Sequence, residues 1–188
     1  MIVAGALLLP IETERLSLRD FCSGDIDALH SYARLDEATR YLLWGPNDLR
    51  ASEAQLSTFI DAAADLPRTI YELALTSKPA GRVIGALCLY LDESAEGAER
   101  GAELGFVLHP AFWGKGLATE AAKALLTYGM SDLKLTHIWA TCDARNLASV
   151  GVLEKIGMIR QETIRGARDT ADGLVDEHQY LYPARRIG

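Results

Sequence analysis

The spacing of apolar positions switches repeatedly between two residues and three to four, which predicts strands interleaved with helices. Arg15–Phe21, RLSLRDF, alternates Leu16, Leu18 and an aromatic with polar residues, the pattern of a half-buried strand. Ser23 offers an N-cap for a helix through about Tyr32, with Ile26 and Leu29 three apart. A second helical stretch covers about Asp36–Leu43 and stops at Trp44-Gly45-Pro46. A third runs from Ser52 to about Leu66, with Leu56, Phe59, Ile60 and Ala63 on one face, and Pro67 ends it.

Strands at Tyr71–Thr76 and Val83–Leu91 flank a turn at Ser77–Gly81 and read as a hairpin. The charged run Asp92–Arg100 reads as a solvated turn. In the next strand, Glu103–Leu108, Leu104, Phe106 and Leu108 face one way and Glu103, Gly105 and Val107 the other. From Leu117 a helix carries Leu117, Ala121, Ala124, Leu125 and Tyr128 on one stripe and stops near Gly129. His137–Cys142 is a strand, Asn146–Ile156 a helix ended by Gly157, and Ile159–Ile164 with Glu177–Tyr182 a closing hairpin. No repeat, low-complexity tract or linker interrupts the pattern, so residues 1–188 read as one α/β domain.

Composition narrows the partners. The 188 residues are 49% apolar and 24% charged, ordinary for a globular protein. A net charge of −7 argues against a broad basic grip on nucleic acid and suits a small or basic partner. Three scattered cysteines, Cys22, Cys88 and Cys142, suggest reduced thiols and a cytoplasmic setting. Met1–Pro10 is apolar but lacks a basic start and is too short for a membrane span. It reads as lead-in to a first strand and a candidate homodimer contact rather than a signal peptide.

The stretch HPAFWGKGLATEA at residues 109–121 sets glycines directly against a helix start. A helix N-terminus offers unpaired N–H groups and partial positive charge, and Gly114 and Gly116 let a phosphate approach without a Cβ in the way. Lys115 either adds charge or points to solvent. The glycines alone equally fit a tight strand-to-helix turn. A Walker A loop is excluded, because His109 and Gly116 stand where it needs Gly and Ser or Thr. A dinucleotide fingerprint fits poorly in register and position. No Gly-x-Ser-x-Gly elbow occurs and the histidines have no ligand spacing with the cysteines, so neither a serine hydrolase nor a metal site is expected.

The order ELGFVLHP, FWGKGLA, TEAAKALLTYG, HIWATCDA, NLASVGVLEKIGM resembles the GNAT superfamily of acetyl-CoA-dependent N-acetyltransferases. The opening ETERLSLRDF and closing DEHQYLY are similar to its ribosomal-protein alanine N-acetyltransferase branch. The resemblance covers nearly the whole chain and is vaguest over residues 46–66. It implies an α/β (α+β) GNAT fold: a mixed, mostly antiparallel sheet of about seven strands, splayed at the acyl-CoA site and flanked by helices. The family loop is Arg/Gln-x-x-Gly-x-Gly/Ala; Gly116 and Ala118 match it, and Trp113 stands at the Arg/Gln position.

The implied reaction is direct acetyl transfer from acetyl-CoA to a primary amine, either a protein N-terminus or a small molecule. The resemblance implies that Trp113, Gly114, Lys115, Gly116, Leu117, Ala118 and Thr119 receive the pyrophosphate. Backbone groups around Phe106, Val107 and Leu108 would bond the pantetheine arm as a missing strand does. Asn146 matches the family's arm-binding asparagine and is also an ideal helix N-cap. Leu153 stands where many relatives carry a tyrosine acid, and Ser149 is the branch's alternative, suited to hydrogen-bonding the sulfur. Arg145 and Lys155 are candidates for the 3′-phosphate. Glu103 is the candidate base, against the plainer reading of a strand carboxylate paired with a neighbouring Arg or Lys; Glu177 and His178 are the reserves. Tyr32, Tyr41 and Trp44 are candidates for the acceptor wall, or else core. Cys142 lies in an apolar strand without an evident basic neighbour and is not expected to act as nucleophile. Two readings from other classes stay open, an acyl-CoA sensor without turnover and a nucleotide-dependent oxidoreductase.

Overall fold

The structure is a computed structural model and describes residues 9–92, 100–170 and 173–183. The expected lead-in at residues 1–8 and the core of the charged turn at 93–99 lie outside the described residues. Strands β1 (Ile11–Glu12), β2 (Leu16–Asp20), β3 (Ile70–Ser77), β4 (Arg82–Leu91), β5 (Gly101–Leu108), β6 (His137–Asp143), β7 (Ile159–Thr170) and β8 (Gly173–Tyr182) form one sheet. Its order is β1-β2-β3-β4-β5-β6-β8-β7, antiparallel throughout except for β5 against β6. The eighth strand is the two-residue β1, too short to leave a periodic signal.

Helices cover both faces. Helix α4 (Leu117–Ser131) and α5 (Leu147–Lys155) pack on one, where Leu16, Leu18, Ala121, Leu125 and Ile138 are fully buried. Helices α1 (Ile26–Ala33) and α3 (Leu49–Ala64) cover the other around Leu29, Tyr32, Leu56 and Ala74, with the short α2 (Asp36–Thr39) following α1. Each fully buried leucine contributes about 2 kcal/mol by leaving water. Among the described residues no helix is long and apolar enough to cross a membrane.

Several boundaries differ from the periodicity reading, and the second helix is a single turn that ends at Thr39 rather than near Leu43. Ser23 begins a 3-10 turn rather than capping α1; the buried Asp25 carboxylate accepts from the Cys22 amide at 2.9 Å and from both terminal guanidinium nitrogens of Arg19, which fixes the entry. Helix α3 starts earlier because Asp48 caps it, accepting the Ala51 amide at 2.7 Å. Gly129 is not a stop: it lies inside α4, where a Cβ would come within 2.8 Å of Ile138, so its missing side chain seats the helix on β6. The closing hairpin extends to Thr170 and Gly173, because Arg168, Asp169 and Thr170 continue the ladder with β8 although their sequence is polar.

Candidate active site

Strands β5 and β6 pair for only three residues, from Gly101 opposite His137 to Glu103 opposite Trp139, and then diverge. Each is held on its outer side, β5 by β4 as far as Leu108 and β6 by β8 as far as Asp143. The gap therefore exposes unpaired backbone groups of both. The His109 amide bonds the Ile84 carbonyl, which sets the antiparallel alternation: Val107 turns its backbone toward β4, while Phe106 and Leu108 turn theirs into the gap. The expectation for residues 106–108 is corrected accordingly, since Val107 spends its hydrogen bonds inside the sheet. The Leu108 carbonyl is itself capped by the Trp113 indole N–H at 2.7 Å.

The loop beyond β5 is braced from several sides. A 3-10 turn at Pro110–Phe112 leads to Gly114 and Gly116, whose φ values of +71° and +73° fall where only glycine is at ease. Gly116 caps α4 without any side chain, so the first-turn amides of Leu117, Ala118 and Thr119 are left for an anion. The Lys115 ammonium donates to the Ala111 carbonyl at 2.8 Å and sits over the Phe112 ring. Arg15 grips the Lys115 carbonyl at 2.9 Å and pairs with Glu120 on α4 at 2.6 Å. A bare helix terminus, open space around the would-be Cβ of Gly114 and an adjoining strand gap fit a pyrophosphate carrying an extended arm. Arg145 is engaged instead with Asp143 at 2.7 Å, and Lys155 is exposed at the end of α5.

A cleft of about 270 Å³ opens at the fork. Tyr32 from α1 and Tyr41 and Trp44 from the segment after α2 line it, together with Glu103, Phe106, Val107, Asn146 and Ser149. Asn146 caps α5, its carbonyl oxygen accepting the Ser149 amide at 3.1 Å. The Ser149 hydroxyl has no partner among the described residues. Leu153, at the tyrosine slot, is buried beside it.

Glu103 ends the short ladder. Its carboxylate accepts the Thr141 hydroxyl at 3.0 Å, and Thr141 in turn accepts from Arg168 at 3.1 Å. A threonine thus links Glu103 to Arg168. The two reserves are engaged elsewhere: Glu177 is ion-paired with Arg168, and both His178 ring nitrogens lie within hydrogen-bond reach of Thr163 and Arg160. Cys142 does have a basic neighbour, Arg168, contrary to expectation, yet burial dominates and pushes its thiol up to about 11.

Several lining residues were not anticipated, Glu72 among them. Glu72 on β3 is 6% exposed and accepts the Tyr90 hydroxyl, and burial pushes its carboxyl up to about 7. Its signal was an acidic residue inside an otherwise apolar strand, YELAL, where a charge is unexpected unless partnered.

The acetyltransferase (GNAT) domain profile matches residues 15–159. Over 170 residues the chain is 28% identical to the uncharacterized N-acetyltransferase YnaD of Bacillus subtilis (strain 168), covering 90% of this chain and 94% of that one. A GNAT-family acetyltransferase structure from Bacillus anthracis superposes with a TM-score of 0.79 at 26% identity, over 92% and 97% of the two chains. The ribosomal L7/L12 α-N-protein acetyltransferase RimL in complex with coenzyme A shares the fold, with a TM-score of 0.78 at 17% identity over 90% and 94%. Geometry and likeness converge, and the chain belongs to the GNAT superfamily as an acetyl-CoA-dependent N-acetyltransferase.

Proposed function

We propose that the acetyl group passes directly from acetyl-CoA to a primary amine, a protein N-terminus or a small molecule, with both substrates bound at once. The supporting observation is the ladder that ends at Glu103, leaving a gap between β5 and β6 beside a carboxylate. Acetyl-CoA supplies an activated thioester. The backbone of Phe106 and the Leu108 amide bond its arm, while residues 113–119 and the Asn146 side-chain amide anchor the rest. Ser149 hydrogen-bonds the sulfur as negative charge gathers there. Glu103 takes the proton of the incoming ammonium, directly or through a water, because an alkyl amine with pKa about 10.4 is mostly protonated at neutral pH. Tyr32, Tyr41 and Trp44 wall the acceptor side.

Both cysteines of the cleft are held as thiols by burial, which disfavours an acetyl-cysteine intermediate. Thiol release from acetyl-CoA across a panel of amines and peptides tests the reading. Initial rates against both substrates should give intersecting lines; parallel lines would point to a covalent intermediate. Acetyl-CoA at 100 times its dissociation constant should also stabilise the fold by about 2.7 kcal/mol.

A further inference from the structure

Three acidic side chains line the cleft, and two of them have established partners. Asp143 is ion-paired with Arg145, and Glu103 is held by Thr141 with Arg168 behind it. Glu72 accepts only the Tyr90 hydroxyl, and among the described residues no Lys, Arg or His pairs with it. The titratable groups interacting with it, Tyr32 from α1 and Cys88 and Tyr90 from β4, are neutral at physiological pH. A buried carboxylate without a cation is costly to a fold. Glutamine or leucine would fill the position at lower cost.

The register places this carboxylate usefully. Glu72, Cys88 and Gly105 are successive partners across β3, β4 and β5, so they form one row on the cleft face. Side-chain bulk falls along the row toward the gap, and at Gly105 a Cβ would come within 2.7 Å of the Cys88 sulfur. Two strand spacings, about 10 Å, separate the backbone at Glu72 from that at Gly105. Trp44 and Phe59 supply apolar walls. A linear aliphatic chain lying over Cys88 and Gly105 would put one end at the fork near Glu103 and the other at Glu72.

We propose that Glu72 binds a second ammonium group of the acceptor, which makes linear alkyl diamines and longer polyamines the acceptor class. The proposal rests on the amine-acetylation reading above. The remote ammonium is the cation that Glu72 lacks, and the neighbouring aromatic rings of Tyr32 and Trp44 add faces that attract it. The chain's net charge of −7 favours the approach of a polycation over that of a neutral or acidic acceptor.

The test compares 1,6-diaminohexane with n-heptylamine, which has the same length but one charge, in wild type, Glu72→Gln and Glu72→Asp. Wild type should prefer the diamine in kcat/KM by tenfold or more, beyond the factor of two that equivalent ends provide, with the difference carried by KM. Glu72→Gln should bring the ratio within threefold while acetyl-CoA affinity is unchanged; Glu72→Asp, which keeps the charge, should retain part of the preference. Equal rates for the two amines in wild type, or a preference that survives Glu72→Gln, overturns the proposal. Calorimetric titration of the diamine into the enzyme–CoA complex separates this from failure of the acetylation reading. If neither these amines nor any acceptor of the panel is turned over, that reading fails; a diamine Kd unchanged by Glu72→Gln then overturns the role of Glu72 as well, whereas a tenfold loss supports it.

Discussion

The two sides of the cleft are built from different materials. On the side proposed for acetyl-CoA the groups on offer are chiefly backbone: the gap-facing groups of β5 and the first amides of α4 behind two positive-φ glycines. On the side proposed for the acceptor they are side chains of separate elements, Tyr32 of α1, Trp44 beyond α2 and Glu72 of β3. Backbone recognition needs little more than local conformation, and it leaves a local motif. Side-chain recognition depends on which distant segments meet, and it leaves almost none. The carboxylates follow the same division. Glu103 sits at the fork within a Thr141–Arg168 network, whereas Glu72 is buried and accepts one hydrogen bond, from the Tyr90 hydroxyl.

The largest expected effect would break the backbone side. Gly116→Val places a branched Cβ at a φ of +73°, where the phosphate should lie. Acetyl-CoA affinity should fall about a hundredfold, with a loss of melting temperature no larger than strain of 1–3 kcal/mol would produce. Titration of the folded variant checks this, and wild-type affinity would show that the α4 terminus does not hold the ligand.

Next comes the carboxylate at the fork. Glu103→Gln keeps the Thr141 hydrogen bond available but removes the basic site. It should lower kcat/KM tenfold or more at neutral pH, with partial recovery as pH rises and the free amine fraction grows. A pH–rate profile superimposing on that of wild type would remove Glu103 from proton transfer.

The buried carboxylate gives a stability signature of opposite sign. Its carboxyl is raised by burial from 4.5 to about 7. Between those values the native state keeps a proton that the unfolded chain has released, so stability falls as pH rises through the window. The loss reaches about 3 kcal/mol above pH 7. Glu72→Gln should therefore melt several degrees higher than wild type at pH 8 and close to it at pH 4. Parallel melting curves across that range would contradict the buried, unpaired environment.

The smallest effect concerns the sulfur. Ser149→Ala removes a hydroxyl that has no partner among the described residues and keeps the hydrogen bond from the backbone N–H of residue 149 to the Asn146 side chain. A several-fold drop in kcat with unchanged CoA affinity is expected. Collapse of CoA affinity with kcat preserved at saturation would make Ser149 a binding residue.

The sequence by itself determined the features that depend on neighbours along the chain. The face parity of residues 103–108, the glycine loop, the start of α4 at Leu117 and the Asn146 cap each follow from spacing or backbone preference within a few residues. Glu103 was legible because strand parity separates it from Leu104 and Phe106. Only the tertiary structure decided that β5 and β6 part after three pairs, since beyond that point β5 keeps to β4 and β6 to β8, both distant pairings. It alone revealed why Gly129 lies inside a helix, against Ile138, and that a polar run beyond Ile164 still pairs as strand. It alone brought Glu72 to the same cleft as Ser149, 77 positions further along the chain. Local patterns record what a residue's own backbone prefers, whereas a site assembled from side chains depends on long-range pairing, and the cost of burying a charge at Glu72 exists only once that pairing has formed.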